Sequence, residues 1–167
     1  MIDEPDESLM QRVARGERDA YDALYARWSG PVFRFLLRRT GARGTAEEAL
    51  QETWLRVYRF RDRFDPTRSF RSWVFTIAAN CGRDAHRPEP EVFAIEPVDG
   101  EPTDLRHRLV WGLARLDPDD RKLLLLTVEG FDSVEIGSML GVGSGAVRMR
   151  LSRARERLRA AVGGVDA

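Results

Sequence analysis

Apolar residues recur at three- and four-residue spacing along nearly the whole chain, and no stretch alternates cleanly as a half-buried strand would. The spacing predicts a first helix over Ser8–Ala14 and a second from Asp19 to Thr40. Gly41–Gly44 interrupt the pattern, and Thr45 reads as the cap of a third helix reaching Arg61, with Glu48 in the capping-box position. "RFDPTRS" is a turn around Pro66. A fourth helix is expected from Phe70 to Ala79, and a short fifth over Gly82–Arg87. Pro88–Thr103 then holds four prolines, five acids and one glycine, the make-up of a linker. Its sixteen residues reach at most ~50 Å when stretched, more than one DNA turn of ~34 Å. Helical spacing returns over Asp104–Leu116, Pro118–Glu129, Asp132–Leu140 and Ser144–Ala161. The expected fold is all-α: two small helical domains, 1–87 and 104–167, joined by an acidic, proline-rich linker at 88–103.

The last two segments predict a more specific motif. In "GFDSVEIGSMLGVGSGAVRMRLSRARERLR", Asp132 and Glu135 stand at capping-box spacing, and Ile136 and Leu140 face inward. Gly141 ends that helix, "GVGS" turns, and Ser144 can cap the next one. Two short helices around a glycine-bearing turn form a helix-turn-helix, with Gly137 a small residue where they cross. On a wheel of ~100° per residue, Val147, Leu151, Ala154 and Leu158 fall within ~60° of one another. Opposite them stand Arg148, Met149, Ser152, Arg153 and Glu156. A recognition helix needs this division, because one edge docks on its domain while the N-terminal outer side meets base edges.

Charge sharpens the picture only when read locally. Twenty-seven basic residues balance twenty-seven acidic ones. Yet "MIDEPDE" is acidic, and Glu89–Leu105 has six acids and no base. Arginines gather in Arg27–Arg43, Arg61–Arg87 and Arg148–Arg159. Ser144–Ala160 alone carries six arginines and one acid. Taken in isolation such a helix is better explained as a solvated face. The capped helix and turn before it favour DNA, with arginine suited to bidentate contact with guanine. Arg155, Arg157 and Arg159 are expected in solvent or on phosphate.

Other chemistry finds little support. Cys81 is the only cysteine, which excludes an internal disulfide, and His86 and His107 make no zinc set. No apolar run approaches the ~20 residues of a membrane span, and the N-terminus lacks signal-peptide order. No nucleophile–base–orienter set emerges. The expectation is a cytoplasmic, non-enzymatic protein that needs no cofactor and makes no direct membrane contact.

"LDPDDRKLLLLTVEGFDSVEIGSMLGVGSGAVRMRLSRARERLR" resembles the promoter-binding fourth domain of bacterial sigma factors of the extracytoplasmic-function class. Departures are Ser133 and Val134, Gly143, Ala146 and Met149, the last on the outer side of the helix. "AEEALQETWLRVYRFRDRFDPTRSFRSWVFTIAANCGRDAHR" is similar to the second domain of that class, through Gln51-Glu52-Thr53, Trp54, Leu55-Arg56-Val57, Phe64, Phe70, Trp73, Ile77-Ala78 and Asn80.

The resemblance implies contact of Ser144, Arg148, Met149, Arg150, Ser152 and Arg153 with an upstream, minus-thirty-five promoter element. It implies that Glu48, Gln51, Glu52 and Leu55 grip the clamp of the largest subunit of core RNA polymerase, while the flap of the second-largest subunit is a further partner. Phe64, Trp73, Ile77, Ala78 and Asn80 would form a pocket for an unstacked base of the minus-ten element, with Arg71, Arg83 and Arg87 holding the displaced strand. On their own merits Trp73 and Ile77 read as core, and Asn80 as a helix cap. An anti-sigma factor is implied as the regulator. A helix-turn-helix activator on duplex DNA is the alternative reading, and palindromic footprints would support it.

Overall fold

In the computed structural model the described residues, 4–81 and 103–163, form eight α-helices and no strand. The expected helix at Gly82–Arg87, with Arg83 and Arg87, and the linker up to residue 102 lie outside the described residues. The chain divides into two units, Met1–His86 and Arg87–Ala167.

In the first unit α1 (Asp6–Ala14) and α2 (Arg18–Thr40) are followed by α3 (Arg43–Arg59), a 3-10 turn at Arg61–Arg63, and α4 (Phe70–Cys81). The core is aromatic and aliphatic. Phe35, Phe70, Phe75, Leu24 and Leu36 are fully buried, each worth ~1.5–3 kcal/mol of transfer free energy. Phe35 and Phe75 meet edge to face at 5.4 Å. Pro31 sits inside α2 without ending it. The buried positions run from Ala20 and Leu24 through to Val32, Phe35 and Leu36, so packing on both sides of the proline outweighs its lost hydrogen bond.

Two starting points differ from the sequence expectation by two residues or more. α1 begins at Asp6, two residues before Ser8, because its acids are engaged in tertiary bonds. Asp6 accepts from Arg27 at 2.7 Å and from the Trp28 indole N–H at 2.9 Å. Glu7 accepts the backbone N–H of Phe70 at 2.9 Å, at the start of α4. The second difference is α3, which begins at Arg43 with Ala42 in the cap position, so Thr45 does not cap it and Glu48 is not in a capping box. Gly41, at φ 79°, is the true break.

In the second unit α5 (Thr103–Ala114), α6 (Pro118–Val128), α7 (Ser133–Leu140) and α8 (Ser144–Gly163) build the helix-turn-helix and its support. Asp117 caps α6 by accepting from the N–H of Asp119 at 2.9 Å, and Pro118 fills the first helical position. The leucines Leu123 to Leu126 are all buried. Arg121 donates to the carbonyls of Leu113 at 2.8 Å and Ala114 at 2.9 Å, satisfying the C-terminal end of α5. α5 also comes close to α8 at Gly112, where an added Cβ would lie 2.9 Å from Leu158.

Candidate nucleic-acid interface

The α7–α8 pair is assembled by local signals. Asp132 accepts from the N–H of Val134 at 2.7 Å and of Glu135 at 2.9 Å, while Glu135 accepts the N–H of Asp132 at 2.9 Å. That is a complete capping box. Gly141 closes α7 at φ 70°. Gly137 has a sharper role than helix crossing, since a Cβ there would lie 2.7 Å from the Val142 carbonyl. Its own carbonyl accepts from the N–H of Val142 at 3.0 Å. The turn is thus folded back onto α7. The cap of α8 falls on Gly143, whose carbonyl accepts from the N–H of Val147 at 3.1 Å, and Ser144 is the first helical residue rather than the cap.

Along α8, Val147, Leu151 and Ala154 are buried and Leu158 is half-buried. Arg148, Met149, Ser152 and Arg153 are exposed, Met149 to 60%. The predicted outer arc therefore stands together in space. Arg150 does not belong to it. Its guanidinium lies 3.3 Å from one carboxylate oxygen of Asp120, and Arg157 donates to the other at 2.6 Å. Arg157, expected in solvent or on phosphate, is 61% exposed and is also tied to α6. Asp120 was missed in the sequence because an acid in the first turn of a helix has a local explanation already.

On α3, Glu48, Gln51 and Leu55 are exposed and Glu52 is half-buried, on the side opposite Ala46, Ala49, Thr53, Trp54 and Val57. Glu52 accepts from Arg56 at 2.6 Å within the helix. Leu55 is 60% exposed, and the same edge continues into Tyr58, 50% exposed. Tyr25 of α2 is also exposed and packs against Trp54 with ring centroids 5.0 Å apart and planes tilted by 54°. These tyrosines extend the surface beyond the predicted residues, and the i, i+3 step from Leu55 to Tyr58 was the available signal.

On α4, Trp73, Ile77 and Asn80 share one helix face, with Trp73 and Ile77 partly exposed and Asn80 exposed. Phe64 packs beside Trp73 at 5.2 Å between ring centroids and against Phe70 at 6.0 Å. Arg71 is partly exposed at the start of the helix. Ala78 departs from the expectation: it is fully buried in the core and cannot be a wall of that face. Ser69 accepts the N–H of Ser72 at 3.3 Å. With Glu7 on the N–H of Phe70, both bonds fix where α4 begins.

The described residues thus comprise a helix-turn-helix unit and a second helical unit bearing a half-exposed aromatic face. Residues 24–89 match sigma-70 region 2 and residues 112–158 match sigma-70 region 4. The RNA polymerase sigma factor CarQ of Myxococcus xanthus is 38% identical over 94% of this chain and 97% of its own length. The sigma factor BldN of Streptomyces coelicolor is 29% identical over 87% of this chain, which spans 61% of BldN. The structure of CnrH in complex with the cytosolic domain of CnrY superposes with a TM-score of 0.76 at 29% identity, over 96% of this chain and 98% of that one. The chain belongs to the extracytoplasmic-function sigma factors of bacterial RNA polymerase. No helix among the described residues is long and apolar enough to cross a membrane.

Proposed function

We propose that this sigma factor divides its work between its units as follows. Residues 1–87 bind core RNA polymerase through the outer edge of α3, namely Glu48, Gln51, Glu52 and Leu55, extended by Tyr58. Residues 104–167 read the minus-thirty-five element through Arg148, Met149, Ser152 and Arg153. The Trp73–Ile77–Asn80 face, with Phe64, captures an unstacked base of the minus-ten element, which offsets an unstacking cost of a few kcal/mol. Arg71, and Arg83 and Arg87 beyond the described helix, hold the displaced strand, and the acidic segment 88–103 joins the two activities. The chain acts in the cytoplasm as a binding subunit, not as an enzyme.

One observation carries this reading. The buried and exposed arcs of α8 separate cleanly, Val147, Leu151 and Ala154 inside and the four reading residues outside, as a major-groove helix requires. A relative held by the cytosolic domain of a partner supports regulation of this chain by an anti-sigma factor that covers its binding surfaces. Run-off transcription with purified core polymerase over a genomic promoter library is the test. New start sites that depend on the chain are expected, and a polymerase that neither binds it nor changes its start sites overturns the proposal.

A further inference from the structure

Asp120 is only 5% exposed, and its two side-chain oxygens each face an arginine of α8. Arg150 and Arg157 stand two turns apart on one border of the buried stripe, ~20° from each other at ~100° per residue. Arg148 and Ser152 lie across the helix from them, Met149 about a quarter-turn away, and Arg153 nearest at ~40–60°. A single attachment would leave α8 free to roll on its apolar edge. Two attachments to one buried group, separated along the axis, fix the rotation. The next residue, Arg121, anchors α6 to the end of α5 at 2.8 Å, so the carboxylate is held on a braced helix.

We propose that Asp120 is a positioning residue for promoter recognition: it sets the rotation of α8 and keeps Arg150 and Arg157 off the DNA backbone. The proposal rests on the reading of α8 as the recognition helix. Ion pairs between a buried carboxylate and half-exposed arginines contribute little net stability, so their consequence is geometric and electrostatic. Two of the six arginines on Ser144–Ala160 are committed to a protein acid. They therefore do not add to the sequence-blind attraction to phosphate that would dilute discrimination.

The test uses holoenzyme assembled with core polymerase, and two promoter fragments that differ only in the upstream element. Binding is measured across a range of salt for the parent chain and for Asp120→Asn. The variant should discriminate about tenfold less between fragments, the size of one good base contact. Its log K against log salt should steepen by ~1–2, as up to two released arginines reach phosphate. Arg157→Gln, at a largely exposed side chain, should lower discrimination without steepening the salt slope, and it decides the matter if Asp120→Asn does not fold. A lowered unfolding temperature with the same discrimination and slope would make Asp120 merely structural and overturn the proposal. A parent holoenzyme that binds both fragments alike would instead overturn the reading of α8, and this proposal with it.

Discussion

Arg153 and Asn80 are both exposed helical residues, and each has a distinct expected defect. Arg153 lies on the exposed arc of α8. Arg153→Ala should weaken binding to promoters with the proper upstream element by ~1–3 kcal/mol and relax preference at one base; equal weakening on every sequence would make it a phosphate contact. Asn80 shares a face with Trp73 and Ile77 at the end of α4. Asn80→Ala should leave initial docking intact and reduce permanganate reactivity of the melted element, whereas normal melting would leave Asn80 as a helix end. The outward position of Arg153 follows from helical phase, whereas Asn80 reads in the sequence as a helix cap and is singled out only by the resemblance. Arg150 was not, since its fate depends on Asp120, thirty positions earlier. Ala78 was misplaced for a related reason: a match to a motif names residues, but only the phase of α4 shows that Ala78 turns into the core while its neighbour Ile77 does not.

A boundary is legible where one local signal stands alone, and it is lost where local signals compete or where distant residues set it. Both ends of α7 follow from residues within the motif, Asp132 and Glu135 at its start and Gly141 at its end. The start of α3 was misread because Thr45 and Glu48 have capping-box spacing, while Gly41 and the chain before it already direct the helix to begin at Arg43. The start of α1 depends on Arg27, Trp28 and Phe70, far along the chain. Gly137 makes the strongest prediction at this scale. Gly137→Ala drives a methyl to 2.7 Å from the backbone carbonyl of Val142, so denaturant unfolding should register a loss of ~1–3 kcal/mol; an unchanged midpoint would mean the turn can open at no cost.

The junction of α1 and α2 responds to pH instead. Arg12 bonds Glu17 at 2.7 Å and Glu4 at 2.9 Å, and also Asp19. Arg12 holds the carboxyls of Glu17 and Asp19 below their ordinary values of 4.5 and 3.8, and Ser8 first, then Arg12, does so for Glu4. Carboxyls depressed in the folded state stabilise it above their unfolded values, and that contribution is lost as pH falls through the folded ones. Arg12→Gln should therefore unfold at a lower temperature than the parent at pH 7, with the gap closing as pH drops below about 4. A gap that stays constant through acid would show that Arg12 acts by packing alone.

At the scale of the whole molecule, the strongest demand of the proposed function is that one face of the first unit be reserved for a much larger partner. Adjacent positions on α3 make this testable. Trp54 is 3% exposed beneath Tyr25, and its replacement would damage the fold itself. Leu55, one residue on, is 60% exposed beside Tyr58, and its side chain supports little of the free protein. Apolar exposure of this kind, rimmed by Glu48, Gln51 and Glu52, marks an interaction surface when it gathers in one place. Leu55→Asp should change the unfolding free energy by no more than ~0.5 kcal/mol. It should nevertheless weaken assembly with core polymerase tenfold or more, because a buried unpaired charge would replace an apolar contact. Binding is best followed by titrating labelled chain with core enzyme, with run-off transcripts falling in parallel. A Leu55→Asp chain that assembles with parental affinity would remove the outer edge of α3 from the polymerase interface, and the contact would then have to be sought elsewhere on the first unit.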